Sequence, residues 1–529
     1  MADSKREIER KYELPERPDH AEPPGTDAGP AGQDTEGAPA LPDLTGARGV
    51  AAARDHGVQD LDAVYYDTPG LRLYADALTL RRRTGGDDAG WHLKFPVAAG
   101  IRDEIRAPLS DTLPPELAGL VRSRVRDAEL IPVVRLRTAR AVTVLLDADG
   151  APLAEVAVDT VRARRLPGTG REPAATTWTE VEVELADGVE DPAVLDAVEK
   201  KLRKAGLRPA TAASKLGRAL ATGGRAAGGS PAAPVTAGDH ILGYLRDQVT
   251  AIVAQDPAVR RDLPDSVHQL RVATRRLRSA FRTYRTVLDR AVTDPVGEEL
   301  KWLAAELGVD RDHEVLSERL ADRVDAVPGT LLLGPVRARL RIWTAGGRTG
   351  SRARTVAVLD SERYLTLLAT LDALLAAPPL RPGAAKAPEK VLPGRINRAY
   401  ERLAARIEGA LALPQGPERD LALHNARKAA KRARYAAEAA APALGKPAKR
   451  FARRIKAVQT LLGDHQDSVV AREVLRDLAA RAHTAGESAF VWGLLYGQEE
   501  ALADRREREL PQVWEEASEP ALRARLGGR

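Results

Sequence analysis

The chain has 529 residues, a length that suggests about two to four domains. Its 81 Lys and Arg against 75 Asp and Glu leave a net charge of +6, too small by itself to identify a partner. Cysteine is absent, which excludes disulfides, thiolate metal sites and cysteine nucleophiles. The charged amino-terminal segment lacks a secretion signal, and no apolar run approaches the ~20 residues of a membrane span. We therefore expect a cytoplasmic protein that has no membrane partner.

Two segments rich in Gly, Pro and Ala divide the chain. Residues 14–57 are predicted to be a loop insertion, and residues 221–234 a flexible linker. Between them apolar residues recur with a period of two, which is typical of strands, and after the linker the period becomes helical. The predicted fold class is α+β multidomain, with an antiparallel β domain over residues 1–220 and an all-α domain over residues 235–526.

The helical part contains an internal repeat. HQLRVATRRLR begins at His268 and HNARKAAKRAR at His424, an offset of 156, while the glycines of a second motif, Gly308 and Gly463, are 155 apart. Because two separate motifs keep one offset to within a residue, we predict a duplicated helical bundle. Its copies span about 235–377 and 395–526 and pack about a pseudo-two-fold axis.

The predicted strands sort their ionic side chains by sign. Strand alternation puts Glu7, Glu9 and Lys11 on one face, and three glutamates near residue 180 on another. A solvated charged face is the alternative, but rows of like charge repel unless cations lie between them. A closed sheet with such an interior could hold a hard divalent cation and a polyanion, and oxygen ligands favour Mg²⁺ or Mn²⁺. Basic strand positions that would face the glutamates are Arg81, Arg83, His92, Lys94, Arg102, Arg106, Arg135 and Arg137.

These motifs resemble the CYTH family, the triphosphate tunnel metalloenzymes. Glu7-x-Glu9-x-Lys11 is followed in the family's order by VYYDTPGLRL, LRRR, WHLKFP, EVEVEL and SKL. The resemblance implies an eight-stranded antiparallel tunnel that hydrolyses inorganic triphosphate or a related phosphate chain with Mg²⁺ or Mn²⁺. Thiamine triphosphatase and adenylate cyclase activities are alternatives within the family.

The same resemblance assigns roles to individual residues. Catalysis would involve Glu7, Glu9 and Lys11. The implied metal ligands are Glu7, Glu9, Glu180, Glu182 and Glu184. The implied phosphate-binding residues are Lys11, Arg81, Arg83, Lys94, Arg135, Arg137 and Lys215.

The helical domain carries a basic stripe in each copy. His268, Arg271 and Arg275 begin a run at helical spacing that continues to Arg285, and residues 266–288 contain no Asp or Glu. Solvated helices usually mix charge signs, so the stripe favours polyanion binding over the alternative of a solvated face. Each histidine could equally be a hydrogen-bonding residue at the start of its helix.

This half resembles the CHAD family, the conserved-histidine α-helical domain. The resemblance implies two four-helix bundles that bind inorganic polyphosphate. The implied binding residues are His268, Arg271, Arg275, Arg276, Arg278, Arg282, His424, Arg427, Lys428, Lys431, Arg432 and Arg434. Nucleic acid, the rival polyanion, is disfavoured because aromatic residues are only 4% of the chain. A non-catalytic polyphosphate-binding or granule-targeting protein is the alternative from another functional class; the oligomeric state is not predicted.

Overall fold

The computed structural model describes residues 3–14, 41–170, 172–221, 233–348 and 351–527, apart from the side chains of 309–312, 347, 348, 351 and 527. The chain divides into two compact units, Met1–Pro231 and Ala232–Arg529. Residues 222–232 of the predicted linker lie outside the described ranges. Within those ranges no helix is both long enough and apolar enough to cross a bilayer.

The first unit is built on nine antiparallel strands and four helices. The strands are β1 (Asp3–Glu13), β2 (Ala52–Asp67), β3 (Thr79–Thr84), β4 (Gly90–Ala98), β5 (Ile101–Pro108), β6 (Ile131–Leu146), β7 (Pro152–Arg165), β8 (Ala175–Leu185) and β9 (Arg208–Pro209). The helices are α1 (Arg72–Ala75), α2 (Pro115–Val125), α3 (Ala193–Lys204) and α4 (Lys215–Ala221).

Eight of these strands close into a ring. The order is β5-β4-β3-β2-β6-β7-β8-β1, and β1 also pairs with β5, from Asp3 opposite Arg106 to Ile8 opposite Ile101. The two-residue β9 is added beside Tyr12 and Glu13 of β1. The predicted eight-stranded antiparallel sheet is therefore confirmed, with closure making an inner and an outer face.

The two faces of the ring differ in chemistry because side chains alternate along each strand. On β1, Glu7 and Glu9 point inward, while Tyr12 lies on the outer face in an apolar cluster with Val194 and Val198 of α3. Helix α2 covers β3, β4 and β5 in the same way. Helix α4 packs against Leu136 and Trp178, which share the inner face of their strands with cavity residues, so it closes one end of the ring.

The prediction of a loop over residues 14–57 is partly wrong. Residues 15–40 lie outside the described ranges, but residues 52–57 begin β2, and residues 52–55 pair with β6. Gly57 has a φ of +80° at a register shift between Asp55 and Val58, so this glycine serves a β-bulge. A bulge glycine beside charged residues has the composition of a loop, which explains the error.

The second unit is entirely helical over its described residues. Its α-helices are α5 (Ala237–Arg260), α6 (Ser266–Thr283), α7 (Arg290–Glu306), α8 (Gly308–Asp325), α9 (Val336–Arg348), α10 (Ser351–Asp360), α11 (Glu362–Ala376), α12 (Pro388–Leu411), α13 (Pro417–Leu444), α14 (Lys446–Thr484), α15 (Phe490–Ser518) and α16 (Pro520–Ala524). Three short 3₁₀ turns cover Gly329–Leu331, Pro382–Ala385 and Arg525–Gly527.

The sequence repeat corresponds to repeated helices. Helices α5 and α6 occupy the places of α12 and α13, and the single 39-residue α14 stands where α7 and α8 stand in the first copy. The repeated glycines have one packing role. A Cβ on Gly308 would lie 3.0 Å from the guanidinium of Arg271, and a Cβ on Gly463 would lie 3.4 Å from that of Arg427. Both copies thus keep glycine where a stripe arginine approaches the helix.

The two copies share their apolar interior. One cluster joins α5, α6 and α7 of the first copy with α12, α13 and the first half of α14. A second cluster joins α8 and α9 with the second half of α14 and the start of α15. The fold class predicted for this half is confirmed, and each cluster draws on both copies.

Candidate functional site

The interior of the closed sheet is a cavity of about 350 Å³ lined mainly by ionic side chains. It brings together nine of the twelve residues that were assigned catalytic, metal-binding or phosphate-binding roles from sequence, namely Glu7, Glu9, Lys11, Arg81, Arg83, Lys94, Glu182, Glu184 and Lys215. These residues are up to about two hundred positions apart in sequence. They lie on β1, β3, β4, β8 and α4, and the closed ring brings their side chains together in its interior.

At the closed end, Lys215 of α4 is surrounded by carboxylates. Its Nζ lies 2.8 Å from Asp159, 2.9 Å from Glu180 and 2.5 Å from Glu182. Arg140 adds contacts of 2.7 Å to both Asp159 and Glu182. Burial opposes every charge in this group, but Lys215 and Arg140 hold the pKa of Asp159 below its usual value. The cluster is therefore a set of mutually neutralising buried ions.

Nearer the opening, the two glutamates of β1 each have a basic partner. Lys94 donates to Glu7 at 2.6 Å, and Lys11 lies 3.2 Å from Glu9 and also donates to Glu182. Burial raises the pKa of Glu7 to about 7, with Lys94 opposing and Glu104 adding to the rise. Burial would also raise the pKa of Glu9, but Lys11, Lys94 and Arg102 together lower it.

Glu104 links the basic strands and is fully buried. It lies 2.5 Å from Arg106, 2.9 Å from the Nδ1 of His92 and 3.5 Å from Lys94. Burial alone would raise its pKa, but Lys94, His92 and Arg81 together hold the pKa well below the usual range. Glu104 thus stays ionised and fixes the positions of three basic side chains around the cavity.

Two predicted phosphate-binding residues do not reach the cavity. Arg135 and Arg137 lie on the outer face of β6, with 46% and 67% of their side chains exposed. Both contact Asp62, Arg135 at 2.5 Å and Arg137 at 3.4 Å. Their predicted place in the tunnel is wrong because this half of β6 turns Leu136 inward against α4 and leaves the flanking arginines outside.

The sequence analysis assigned no site role to several interior residues. Arg140 is on the same strand as Arg135 and Arg137 but has the opposite parity, and it lines the cavity. Counting in twos from the apolar Leu136 would have found it. Asp159 pairs across strands with Glu180, so the glutamate row itself pointed to this residue. Lys5 and Tyr65 also line the cavity; Lys5 has the parity of Glu7 and Glu9 on β1, whereas nothing in the immediate sequence marks Tyr65.

The helical unit has a separate basic groove of about 650 Å³. His268 of α6 and His424 of α13 both line it, so the two repeated stripes face one space. Arg427 lies 3.7 Å from Asp467 of α14, an acidic residue in the lining. The other predicted residues in this groove are Arg271, Arg275, Lys431 and Arg434.

The remaining predicted polyphosphate-binding residues lie elsewhere. Arg276 contacts Glu438 at 3.2 Å, and its guanidinium lies over the ring of Tyr435. Lys428 is exposed and lines neither the groove nor the second cavity of this unit. Arg278, Arg282 and Arg432 line a second cavity of about 580 Å³. The predicted residues are thus divided between the groove and the second cavity, and Arg276 and Lys428 line neither.

Comparison with known proteins gives both units a family. The CYTH domain model matches residues 42–216, and the CHAD domain model matches residues 243–476. An uncharacterized protein of Mycobacterium tuberculosis, found in two strains, is 40% identical over 504 residues, which are 92% of this chain and 95% of that protein.

The chain belongs to the family of proteins with a CYTH domain followed by a CHAD domain. The suspected family is confirmed. CYTH domains are typically metal-dependent triphosphate tunnel enzymes.

Similar solved structures include PptA from Streptomyces chartreusis, with 22% identity and a TM-score of 0.44 over 54% of this chain and all of that chain. The CHAD domain from Ricinus communis has 24% identity and a TM-score of 0.39, over 56% of this chain and 93% of that one. A putative adenylyl cyclase from Hippeastrum, described as having a dominant triphosphatase activity, has 17% identity and a TM-score of 0.23, over 40% and 95%. These TM-scores are low, and the family assignment does not depend on them.

The CYTH cavity has the donor chemistry for a hard divalent cation. Its carboxylates offer oxygen ligands alone, which suits Mg²⁺ or Mn²⁺. Among the described residues of this domain, the oxygens of Asp159, Glu180 and Glu182 converge within 4.8 Å, but the ammonium of Lys215 already contacts all three. Glu180 also accepts from Trp178 at 2.6 Å and lies outside the cavity lining. Glu7, Glu9, Glu182 and Glu184 remain facing the cavity.

Removing the Lys215 charge should destabilise the CYTH domain. In Lys215→Met, three buried carboxylates lose a shared partner, and we expect a loss of about 3–5 kcal/mol in the free energy of unfolding. Denaturant unfolding measures this. Lys204→Met on the exposed end of α3 is the control and should change stability by less than about 0.5 kcal/mol. Equal stabilities for the two variants would contradict the structural role of Lys215.

Proposed function

We propose that the CYTH domain hydrolyses inorganic triphosphate or a related phosphate chain with Mg²⁺ or Mn²⁺, and that the CHAD domain binds inorganic polyphosphate. The observation that carries the first part is the closed cavity, where Lys11, Arg81, Arg83 and Lys94 share the interior with the four glutamates. Basic side chains fit the equatorial oxygens of a phosphate chain, and carboxylates fit its counter-cation.

The lining of the cavity favours an inorganic chain over a nucleotide or thiamine ester. Tyr65 is the one aromatic residue among the described residues that line it. Its hydroxyl accepts a hydrogen bond from Arg81 at 3.4 Å, and the ring is buried, so no free aromatic face is offered to a base. The adenylate cyclase and thiamine triphosphatase alternatives therefore lack a visible stacking site.

The residues can act by neutralising and orienting the chain. Arg81, Arg83 and Lys94 stand on adjacent strands β3 and β4 and would hold successive phosphoryl groups along the cavity. Burial together with Arg81 and Arg140 lowers the pKa of Arg83 to about 9, so added negative charge beside it relieves repulsion. Phosphoryl transfer depends mostly on such positioning and charge stabilisation. A divalent cation held by Glu7, Glu9, Glu182 and Glu184 would supply Lewis-acid polarisation of the phosphoryl oxygens.

Binding of the chain and of the cation should favour each other. Lys94 now pairs with Glu7, and Lys11 pairs with Glu9 and Glu182. If these lysines turn to phosphate oxygens, their carboxylates are left buried without a partner unless another cation binds them. Exchanging these internal ion pairs for contacts with a cation and a triphosphate would leave each buried charge beside a charge of opposite sign.

The same pairing supports a second candidate function. Each of the four predicted metal ligands that face the cavity is already close to a basic side chain, including Glu184 with Lys5 at 2.8 Å. A tunnel in which these pairs persist would bind phosphate chains without cleaving them, and the protein would then act as a polyphosphate-binding factor. Measuring phosphate release separates the two candidates.

The double variant Glu7→Gln, Glu9→Gln should lose metal-dependent phosphate release from tripolyphosphate by at least about 100-fold, because it removes two cation ligands while keeping their shape. Phosphate release with Mg²⁺ and with Mn²⁺ is the measurement. Arg135→Gln, Arg137→Gln is the matched control, since both residues lie outside the cavity, and it should retain activity. Unchanged activity in the glutamate variant would refute the catalytic assignment, and absence of activity in the unmodified protein would favour the binding-only candidate.

Polyphosphate binding by the CHAD domain should depend on the protonation of Lys431. Burial lowers the pKa of Lys431 to about 7, with Arg427 and Arg275 adding to the effect, Asp467 opposing and Arg434 adding again. A bound polyanion favours the charged amine and raises this pKa, so a proton is taken up on binding above pH 7. We expect affinity to fall, by up to about tenfold per pH unit, as pH rises from 7 toward the raised pKa.

Titration of long-chain polyphosphate at several pH values tests this coupling. Lys431→Met should flatten the decline above pH 7, whereas Lys428→Met, which removes an exposed lysine outside the groove, should preserve it. The terminal phosphates of the ligand also ionise in this pH range, but their effect on affinity is the same for both variants. The difference between the two variants therefore reports on Lys431. If both variants decline like the unmodified protein, Lys431 does not face the ligand.

A further inference from the structure

The second cavity of the CHAD domain is lined by arginines from four helices. Arg278 and Arg282 come from α6, Arg432 from α13 and Arg290 from the start of α7. Helix α12 adds Arg395, Arg398 and Arg402, at spacings of three and four that put them on one face. Together with Arg285 after α6, eight arginines surround about 580 Å³, against two acidic residues in the lining, Asp294 and Glu298.

Most of this positive charge has no acidic partner. Arg290 is paired with Asp294 at 2.6 Å, and Arg282 lies 3.5 Å from Glu298. In the described part of the chain, no ion pair to a carboxylate forms at the other six. Burial and neighbouring arginines lower the pKa of three of these side chains, Arg278, Arg395 and Arg432. The arginines therefore repel each other in the free protein.

The duplication shows that this arrangement is not required by the fold. Shifting by 156 residues maps Arg278, Arg282 and Arg432 onto Arg434, Glu438 and Arg276. At that equivalent place Glu438 pairs with Arg434 at 3.0 Å and with Arg276 at 3.2 Å. The same shift maps the α12 arginines onto Asp239, Leu242 and Arg246. Helix α13 thus carries the neutralising Glu438 at the equivalent place, and α6 has Arg282 at the matching position of the arginine cavity.

We infer that the arginine cavity is a second binding site for a phosphate chain, distinct from the groove between the two histidines. This inference rests on the proposed polyphosphate binding. It adds the path that a long polyphosphate takes beyond the groove. Helix α6 lines both spaces, with Arg271 and Arg275 in the groove and Arg278 and Arg282 in the cavity, so its stripe runs from one to the other. A polyanion that follows this helix would neutralise charge that the protein itself leaves unpaired.

Arg282→Glu tests the inference because it puts a glutamate at the position that corresponds to Glu438 in the other copy. In the full-length protein without ligand, the new carboxylate should pair with Arg278 and Arg432, and we expect a higher midpoint of thermal unfolding. Affinity for labelled long-chain polyphosphate should fall by at least about tenfold more than in Arg453→Glu, an exposed position on α14 outside both cavities with the same charge change. The salt dependence of binding should also weaken relative to that control.

A second variant guards against a local effect of the introduced acid. Arg395→Gln, Arg398→Gln, Arg402→Gln removes the α12 stripe alone and should likewise weaken long-chain binding and lower the number of tripolyphosphate molecules bound. Arg271→Gln, Arg427→Gln, which alters the histidine groove, should leave residual binding that Arg282→Glu removes.

The outcomes separate this inference from the proposed function. If the unmodified protein and the groove variant behave as proposed but both cavity variants match the Arg453→Glu control, the second site is refuted and the groove stands. If the unmodified protein does not bind polyphosphate, the proposed function of the CHAD domain fails as well. If single-stranded DNA displaces polyphosphate from the groove variant more readily than the reverse, the assigned ligand class is wrong.

Discussion

The interior of the CYTH domain depends on the mutual neutralisation of buried charges. An isolated ionised side chain in such a place costs several kcal/mol, so none of the buried carboxylates could stay ionised alone. Asp159 and Glu182 are held by Lys215 and Arg140, and Glu104 by Arg106 and Lys94. These contacts join strands that are distant in sequence, so the ionic network fixes the inner face of the ring while apolar helices fix its outer face.

The CHAD domain follows the opposite electrostatic rule. Its arginine cavity leaves most of its cations unpaired, and its groove has Asp467 as the one acidic residue in its described lining. Such repulsion lowers stability, and proteins keep it where a ligand supplies the missing charge. In the proposed function, the compensated tunnel would accept a ligand that brings its own counter-cation, whereas the arginine cavity would attract any chain of anionic groups. Under the proposed function, selectivity would therefore belong to the CYTH domain, and capture of the chain to the CHAD domain.

Sequence patterns predicted the architecture because each domain repeats a simple periodicity. Alternation along β1 and β8 placed Glu7, Glu9 and Glu182 on the inner face, and the closed sheet collects them. The offset of 156 residues predicted the duplicated helices, and the structure adds that Gly308 and Gly463 each receive a stripe arginine. Periodicity reports which residues share a face, and for these elements that was enough.

Periodicity alone does not report which face points inward. On β6 the inward face changes from apolar to ionic along the strand, since Leu136 packs under α4 while Arg140 reaches Asp159. The assumption that ionic residues face the tunnel was therefore wrong for Arg135 and Arg137, and the inward arginine of this strand is Arg140. The decisive fact is the closure of one end by α4, a contact between segments about eighty residues apart that no local pattern contains.

The same limit applies to the arginine stripe of α12. Its spacing is as regular as that of α6, but Glu401 lies among its arginines, so its charge pattern in sequence is mixed. Only the packing of α12 beside α6 and α13 shows that Arg395, Arg398 and Arg402 converge on one space. The function of an arginine stripe therefore depends on which residues of the neighbouring helices face it. In a duplicated fold, the equivalent position in the other copy is available for comparison. Here Glu438, the equivalent of Arg282, pairs with Arg276 and Arg434 and neutralises them.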